Sequence, residues 1–210
     1  MRNIIAAAFV MFGAPLAAEP VTIAALGDSL TQGFGLSEAE GFVPQMEAWL
    51  TEAGAEVTLI NAGVSGDTTQ GGLSRVGWTL TPDVDAMIVT LGGNDLLRGI
   101  DPALSRANIE GILQAASEAE VAVLLVGMEA PGNYGPDYKA AFDGLYPELA
   151  ESYGAVFYDS FFAVFADQGD VPAQLGEFIQ PDGIHPSAKG VEAIVGHMGP
   201  SVLELIETLD

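Results

Sequence analysis

The chain has 210 residues, of which 49% are hydrophobic and 17% charged, enough apolar material for a core and too much for a disordered polymer. Its 29 acidic residues against 6 basic ones give a net charge of −23, which leaves no basic footprint for nucleic acid. It has no cysteines, which excludes a thiol nucleophile, a thiolate metal site and a disulfide framework.

The chain begins MRN, then runs through the uncharged stretch IIAAAFVMFGAPLAA to Glu19 and Pro20. One basic residue, a short apolar run and small residues predict a secretory signal peptide over residues 1–18, cut near Ala18. The run is short for a membrane span, which needs roughly 20 residues. An uncleaved N-terminal anchor is the alternative. The expectation is a periplasmic or secreted protein, with residues 19–210 forming a single domain, no stable membrane span, and a monomeric state.

After Pro20 the sequence alternates between two periods. Apolar runs rich in β-branched residues occupy 21–26 (VTIAAL), 57–62 (VTLINA), 86–92 (AMIVTLG), 121–128 (VAVLLVGM) and 155–159 (AVFYD). Helix-like spacing fills the intervals. A first helix is predicted from Pro44 to about Gly54, a second over 68–80, and a third from Asp101, with Pro102 in a favoured first-turn position. A fourth is predicted over 136–153 and a last over 187–209, while 160–186 reads as loop with short helical turns. The strands are near-continuous apolar runs, as strands covered on both faces must be. Strand–helix alternation of this kind predicts an α/β domain with a parallel sheet between two helical layers.

Sites in such sheets form beyond the carboxyl ends of the strands. Polar clusters follow three of the predicted ends: Gly27-Asp28-Ser29, Ser65-Gly66-Asp67 and Gly92-Gly93-Asn94-Asp95. A serine attacks a carbonyl only if a base takes its proton and donors stabilise the oxyanion. The chain has two histidines. His185 lies in the turn-rich QPDGIHP, three residues after Asp182, which is placed to orient the imidazole. His197 falls inside the last predicted helix and reads as a packed or surface residue. Taken singly, each signal has an ordinary structural reading: Asp182 as a turn residue, and Asp28-Ser29 as a helix N-cap. Ser65 is a rival nucleophile by composition. Thr31 stands where a G-x-S-x-G elbow needs glycine, so an ordinary α/β-hydrolase is disfavoured. Asp28, Asp67 and Asp95 read as caps of turns and helix starts. A divalent cation held by these three, in a metal-dependent phosphoesterase, is the alternative. A non-catalytic binding module is a further one.

LGDSLTQG, NAGVSGDTT, LGGNDLLRG and DGIHP occur in this order. Together they resemble the GDSL, or SGNH, hydrolase family, in its small bacterial branch of arylesterases, lysophospholipase L1 and thioesterase I. The likeness extends from Val21 onward and includes PGNYG at 131–135. The resemblance implies a three-layer, flavodoxin-like α/β fold with a five-stranded parallel sheet and helices on both faces. It implies Ser29 as nucleophile, His185 as base and Asp182 as its orienter. The oxyanion hole it implies is the backbone N–H of Ser29, the backbone N–H of Gly66 and the side-chain amide of Asn94. It implies no metal and no cofactor, and a small acyl ester as substrate. Leu96 departs from the small residue often found there in thioesterase-type relatives, which bears on acyl-chain preference. Leu97, Tyr134 and Phe178 are candidates for lining an acyl groove.

Overall fold

The computed structural model describes residues 20–168 and 175–209. The predicted signal peptide and its cleavage point lie outside the described residues.

Five strands form one parallel sheet: β1 (Val21–Gly27), β2 (Val57–Gly63), β3 (Ala86–Thr90), β4 (Ala122–Val126) and β5 (Val156–Tyr158). Their spatial order is β2-β1-β3-β4-β5, every neighbouring pair being parallel. Among the described residues, seven α-helices connect and flank them. These are α1 (Ser29–Gln32), α2 (Phe42–Glu52), α3 (Thr69–Thr79), α4 (Gly93–Arg98), α5 (Pro102–Glu118), α6 (Pro136–Tyr153) and α7 (Ala188–Glu207). Helices α2 and α7 pack together on one face of the sheet, and α3, α5 and α6 form the layer on the other. The fold is therefore the three-layer, flavodoxin-like α/β arrangement that the sequence pattern and the resemblance predict.

The apolar periodicities translate into burial. In the middle of the sheet Ile23, Leu26, Met87, Ile88, Leu124 and Leu125 have no exposed surface beyond rounding, because helices cover both faces. Edge strand β2 alternates instead, with Leu59 buried and Thr58 and Ile60 exposed. Helix α2 buries Phe42, Val43, Met46 and Leu50 at helical spacing, and α7 buries Val191, Ile194, Val195, Met198, Val202 and Leu205. Each such side chain contributes about 1.5–3 kcal/mol on leaving water.

Three elements differ from expectation. The strand predicted to reach Gly92 ends at Thr90, since Gly92 is already the cap of α4. Helices α1 and α4 were not predicted as helices, because four and six residues are too few to show a 3.6-residue period.

The strand order sets the site. The connection after β1 runs outward to β2 on one side and the connection after β3 runs outward to β4 on the other, so a crevice opens between the carboxyl ends of β1 and β3. Ser29 follows β1 and Asn94 follows β3.

Candidate active site

Ser29 is placed by a tight turn from strand to helix. Asp28 caps α1, its Oδ1 accepting the Leu30 N–H at 3.0 Å, and Ser29 is the first helical residue. Its N–H therefore has no acceptor inside the helix. The turn needs glycine before it: a Cβ on Gly27 would lie 2.0 Å from Thr31 Oγ1 and 2.9 Å from the Thr90 carbonyl oxygen. Arg75 clamps the neighbouring strand ends. Its guanidinium donates to the carbonyls of Ala62 (2.6 Å) and Gly27 (2.7 Å) and to Asp67 Oδ2 (2.7 Å).

His185 arrives from the far end of the chain. Its Nε2 lies 2.8 Å from Ser29 Oγ, and its Nδ1 lies 2.7 Å from Asp182 Oδ2. Asp182 Oδ1 also accepts the backbone N–H groups of Ile184 (2.9 Å) and His185 (3.0 Å). These donors, the His185 N–H foremost, hold the Asp182 carboxyl down to about 2, so it is a carboxylate throughout the neutral range. An acceptor-only carboxylate on Nδ1 requires the proton there and leaves the Nε2 lone pair facing the serine hydroxyl. The Asp-x-x-His spacing thus closes one turn in which main chain and side chain are bound by the same carboxylate.

Two residues that hold this histidine escaped the sequence reading. The Phe34 ring lies against the imidazole, centroids 4.6 Å apart. Gln180 ties the histidine loop to the loop after α1. Its Nε2 donates to the carbonyls of Phe34 (2.8 Å) and Pro186 (2.9 Å), and its N–H donates to the His185 carbonyl (2.7 Å). The glutamine beside the Asp-x-x-His turn is its only local trace; Phe34 has none.

Ser29, Gly66, Asn94 and His185 line one cleft of about 820 Å3. Gly66 has φ +85°, and a Cβ there would meet nothing closer than Arg98 at 3.9 Å. Its glycine is required by the left-handed backbone rather than by close approach. Arg98 holds that peptide in place, donating to the Gly66 carbonyl at 2.8 Å. Asn94 lies in the first turn of α4 and donates its Nδ2 to Asp28 Oδ2 at 3.1 Å. Asp28 is 2% exposed, and burial, the strongest influence on it, raises its carboxyl to about 6.

The strand-end aspartates serve separate partners. Asp67 pairs with Arg75. Asp95, fully buried, accepts from Thr69 N–H (2.9 Å), Thr69 Oγ1 (2.6 Å) and Ser105 Oγ (3.0 Å), which joins α3, α4 and α5 beneath the site. No group of three or more metal-ligating side chains converges among the described residues. Ser65 borders the cleft, but its hydroxyl donates to Gln32 Oε1 at 2.6 Å. His197 is on α7 with its Nδ1 2.7 Å from the Tyr158 hydroxyl.

The rest of the cleft is largely apolar. Leu97 and Tyr134, two of the candidates for an acyl groove, line it together with Leu96, Met128, Phe162 and Phe165. Phe178 is a correction: it does not line the cleft. Its ring packs against Phe165, centroids 5.5 Å apart, beneath the Lys189 ammonium at 5.1 Å. It therefore supports a wall residue from behind.

Residues 25–193 match the GDSL-like lipase/acylhydrolase family. Among curated proteins, esterase TesA of Pseudomonas aeruginosa is 33% identical over 187 residues, covering 88% of this chain and 89% of its own. The thioesterase 1/protease 1/lysophospholipase L1 of Escherichia coli strain K12 is 31% identical over 192 residues, covering 90% and 87%. Among solved structures, AlinE4, an SGNH-hydrolase family esterase, superposes with a TM-score of 0.72 at 43% identity, covering 90% of this chain and 98% of its own.

Proposed function

The chain belongs to the GDSL-like lipase/acylhydrolase family and is a serine ester hydrolase, and on that premise we propose that Ser29, His185 and Asp182 are its catalytic residues. The observation that carries this is the continuous relay from Asp182 Oδ2 through His185 to Ser29 Oγ, at 2.7 Å and 2.8 Å. The ester carbonyl enters the apolar cleft with its oxygen toward Gly66 and Asn94. Ser29 Oγ attacks as His185 Nε2 takes its proton, and Asp182 stabilises the imidazolium. The oxyanion receives the N–H groups of Ser29 and Gly66 and an Asn94 amide hydrogen. Collapse expels the alcohol, protonated by His185, and leaves an acyl-serine. Water then gives its proton to His185, attacks the acyl carbon and releases the acid, restoring the Ser29 hydroxyl.

The substrates that fit are oxygen esters with an apolar acyl group, including aryl esters and lysophospholipids. Thioesters are cleavable by the same chemistry. The signal-peptide pattern supports work in the periplasm or outside the cell, away from coenzyme A, and the enzyme acts as a monomer. N-terminal sequencing of exported protein and light scattering test these two points.

A phosphoesterase using Asp28, Asp67 and Asp95 is not favoured, because each carboxylate is taken up by its own donors. A fluorophosphonate probe separates the readings. It labels the wild type in the presence of a chelator and does not label Ser29→Ala. Modification at Ser65 instead would overturn the nucleophile assignment.

A further inference from the structure

We propose that Asp28 is a positioning residue for the oxyanion hole: its carboxylate dictates which end of the Asn94 amide faces the substrate. This rests on the role proposed above for Asn94. The geometry is a short chain of bonds. Asp28 Oδ1 is occupied by the Leu30 N–H at 3.0 Å, and Oδ2 by Asn94 Nδ2 at 3.1 Å. A carboxylate has no proton to give, so only the nitrogen of the Asn94 amide can meet it. One Nδ2 hydrogen is spent on Asp28. The amide cannot turn to present its oxygen to that contact, and the second Nδ2 hydrogen remains the group available to a developing oxyanion.

The burial of Asp28 makes the device effective. With 2% of its surface exposed, little water competes for the second oxygen. Capping alone does not account for a carboxylate here. Serine or asparagine caps a helix as well as aspartate does, and neither carries the cost of a buried charge. The cap uses one oxygen; the other is the one that needs to be an obligate acceptor.

Asp28→Asn is the sharp variant. Its Oδ1 still caps Leu30, which turns its Nδ2 toward Asn94 Nδ2. Two donors then face each other, and Asn94 must rotate to offer its oxygen, which puts its own nitrogen on the wrong side. The cap and the side-chain volume are kept while the acceptor is lost.

The experiment measures kcat and KM on a short p-nitrophenyl ester for the wild type, Asp28→Asn, Asn94→Ala and the double variant, with a thermal melt of each. Asn94→Ala is expected to lose about 10²–10³ in kcat. Asp28→Asn is expected to lose a comparable factor in kcat with KM within a few-fold. The double variant is expected to be no slower than Asn94→Ala alone, because the two act through one amide. Asp28→Asn at the wild-type rate, or losses that multiply in the double variant, would overturn the proposal. Asn94→Ala at the wild-type rate would instead remove Asn94 from the oxyanion hole. If Asp28→Asn does not fold, the same cycle is run with Asp28→Ser, which keeps a cap but withdraws the carboxylate from Asn94.

Discussion

His185 Nε2 stands 2.8 Å from Ser29 Oγ although 156 positions separate them in the chain. The serine is carried by β1 and α1, near the middle of the sheet, and the histidine by a loop that returns over that sheet before α7. In the proposed mechanism their meeting makes an unreactive hydroxyl into a nucleophile.

Removing either partner should abolish that activation while leaving the core intact. Ser29→Ala and His185→Ala are each expected to lower turnover on a p-nitrophenyl ester by roughly 10⁴–10⁶, by analogy with other serine hydrolases. Circular dichroism and melting should stay close to the wild type. Turnover within tenfold of the wild type in either variant would contradict the mechanism.

Asp182→Asn keeps the shape of the turn and changes one proton. An amide at that position permits the wrong imidazole tautomer, and a loss of up to about 10⁴ in kcat is expected. In the wild type the Asp182 carboxyl is held down at about 2, against 3.8 ordinarily. Its contribution to stability is therefore complete above about pH 4 and is lost only as pH falls through about 2. Kinetics of Asp182→Asn equal to the wild type from pH 6 to 9 would reduce Asp182 to a turn residue.

The Asp28 carboxyl carries the opposite sign. Burial lifts it to about 6 from 3.8, so between these values the folded chain binds more protons than the unfolded one. Stability then falls as pH rises through that window, and the ionised form costs about 3 kcal/mol at neutral pH as an upper figure. Asp28→Asn does not titrate. Its Tm relative to the wild type should rise between pH 4 and pH 7, and a difference independent of pH would refute the shift. A variant that melts higher and turns over more slowly is what a charge kept for function predicts.

Acyl selectivity should follow the cleft wall. Leu97 is 62% exposed and lines the cleft, where a long acyl chain would cover it. Each methylene so covered is worth about 0.8 kcal/mol. Leu97→Asp is expected to lower kcat/KM at least tenfold on octanoyl esters and little on acetate. Phe178→Ala, one layer behind the wall, is expected to change the chain-length profile less. A uniform loss across all chain lengths in Leu97→Asp would place the acyl chain elsewhere.

With a net charge of −23 the surface repels itself, and added salt screens that repulsion. Raising sodium chloride from low concentration to about 0.5 M is expected to raise Tm, by differential scanning calorimetry. A Tm that falls with salt would mean that surface ion pairs such as Arg106–Glu148 and Lys189–Glu177 outweigh the repulsion.

Much of this was legible in one dimension. Burial on both faces makes VTIAAL and VAVLLVGM continuous apolar runs, and amphipathic packing gives α2 and α7 their spacing. Layer architecture is thus written locally, residue by residue. The blocks around Ser29, Gly66 and Asn94 were visible as well, because a strand end that carries a site breaks its apolar run with glycine and polar residues, and His185 was visible through the Asp-x-x-His spacing of its turn-rich loop. What only the tertiary structure decided are the relations between blocks. The β2-β1-β3 order opens the crevice where the serine and asparagine loops meet, and the returning loop lays Phe34 against His185 under the hold of Gln180. Asp28 turns its second oxygen to Asn94 in the same way, and Phe178 turns its ring behind the wall it was expected to line. Periodicity records how far each residue is from water; it holds no record of which distant residue lies on the other side of a contact, and that is settled only when the strands take their places in the sheet.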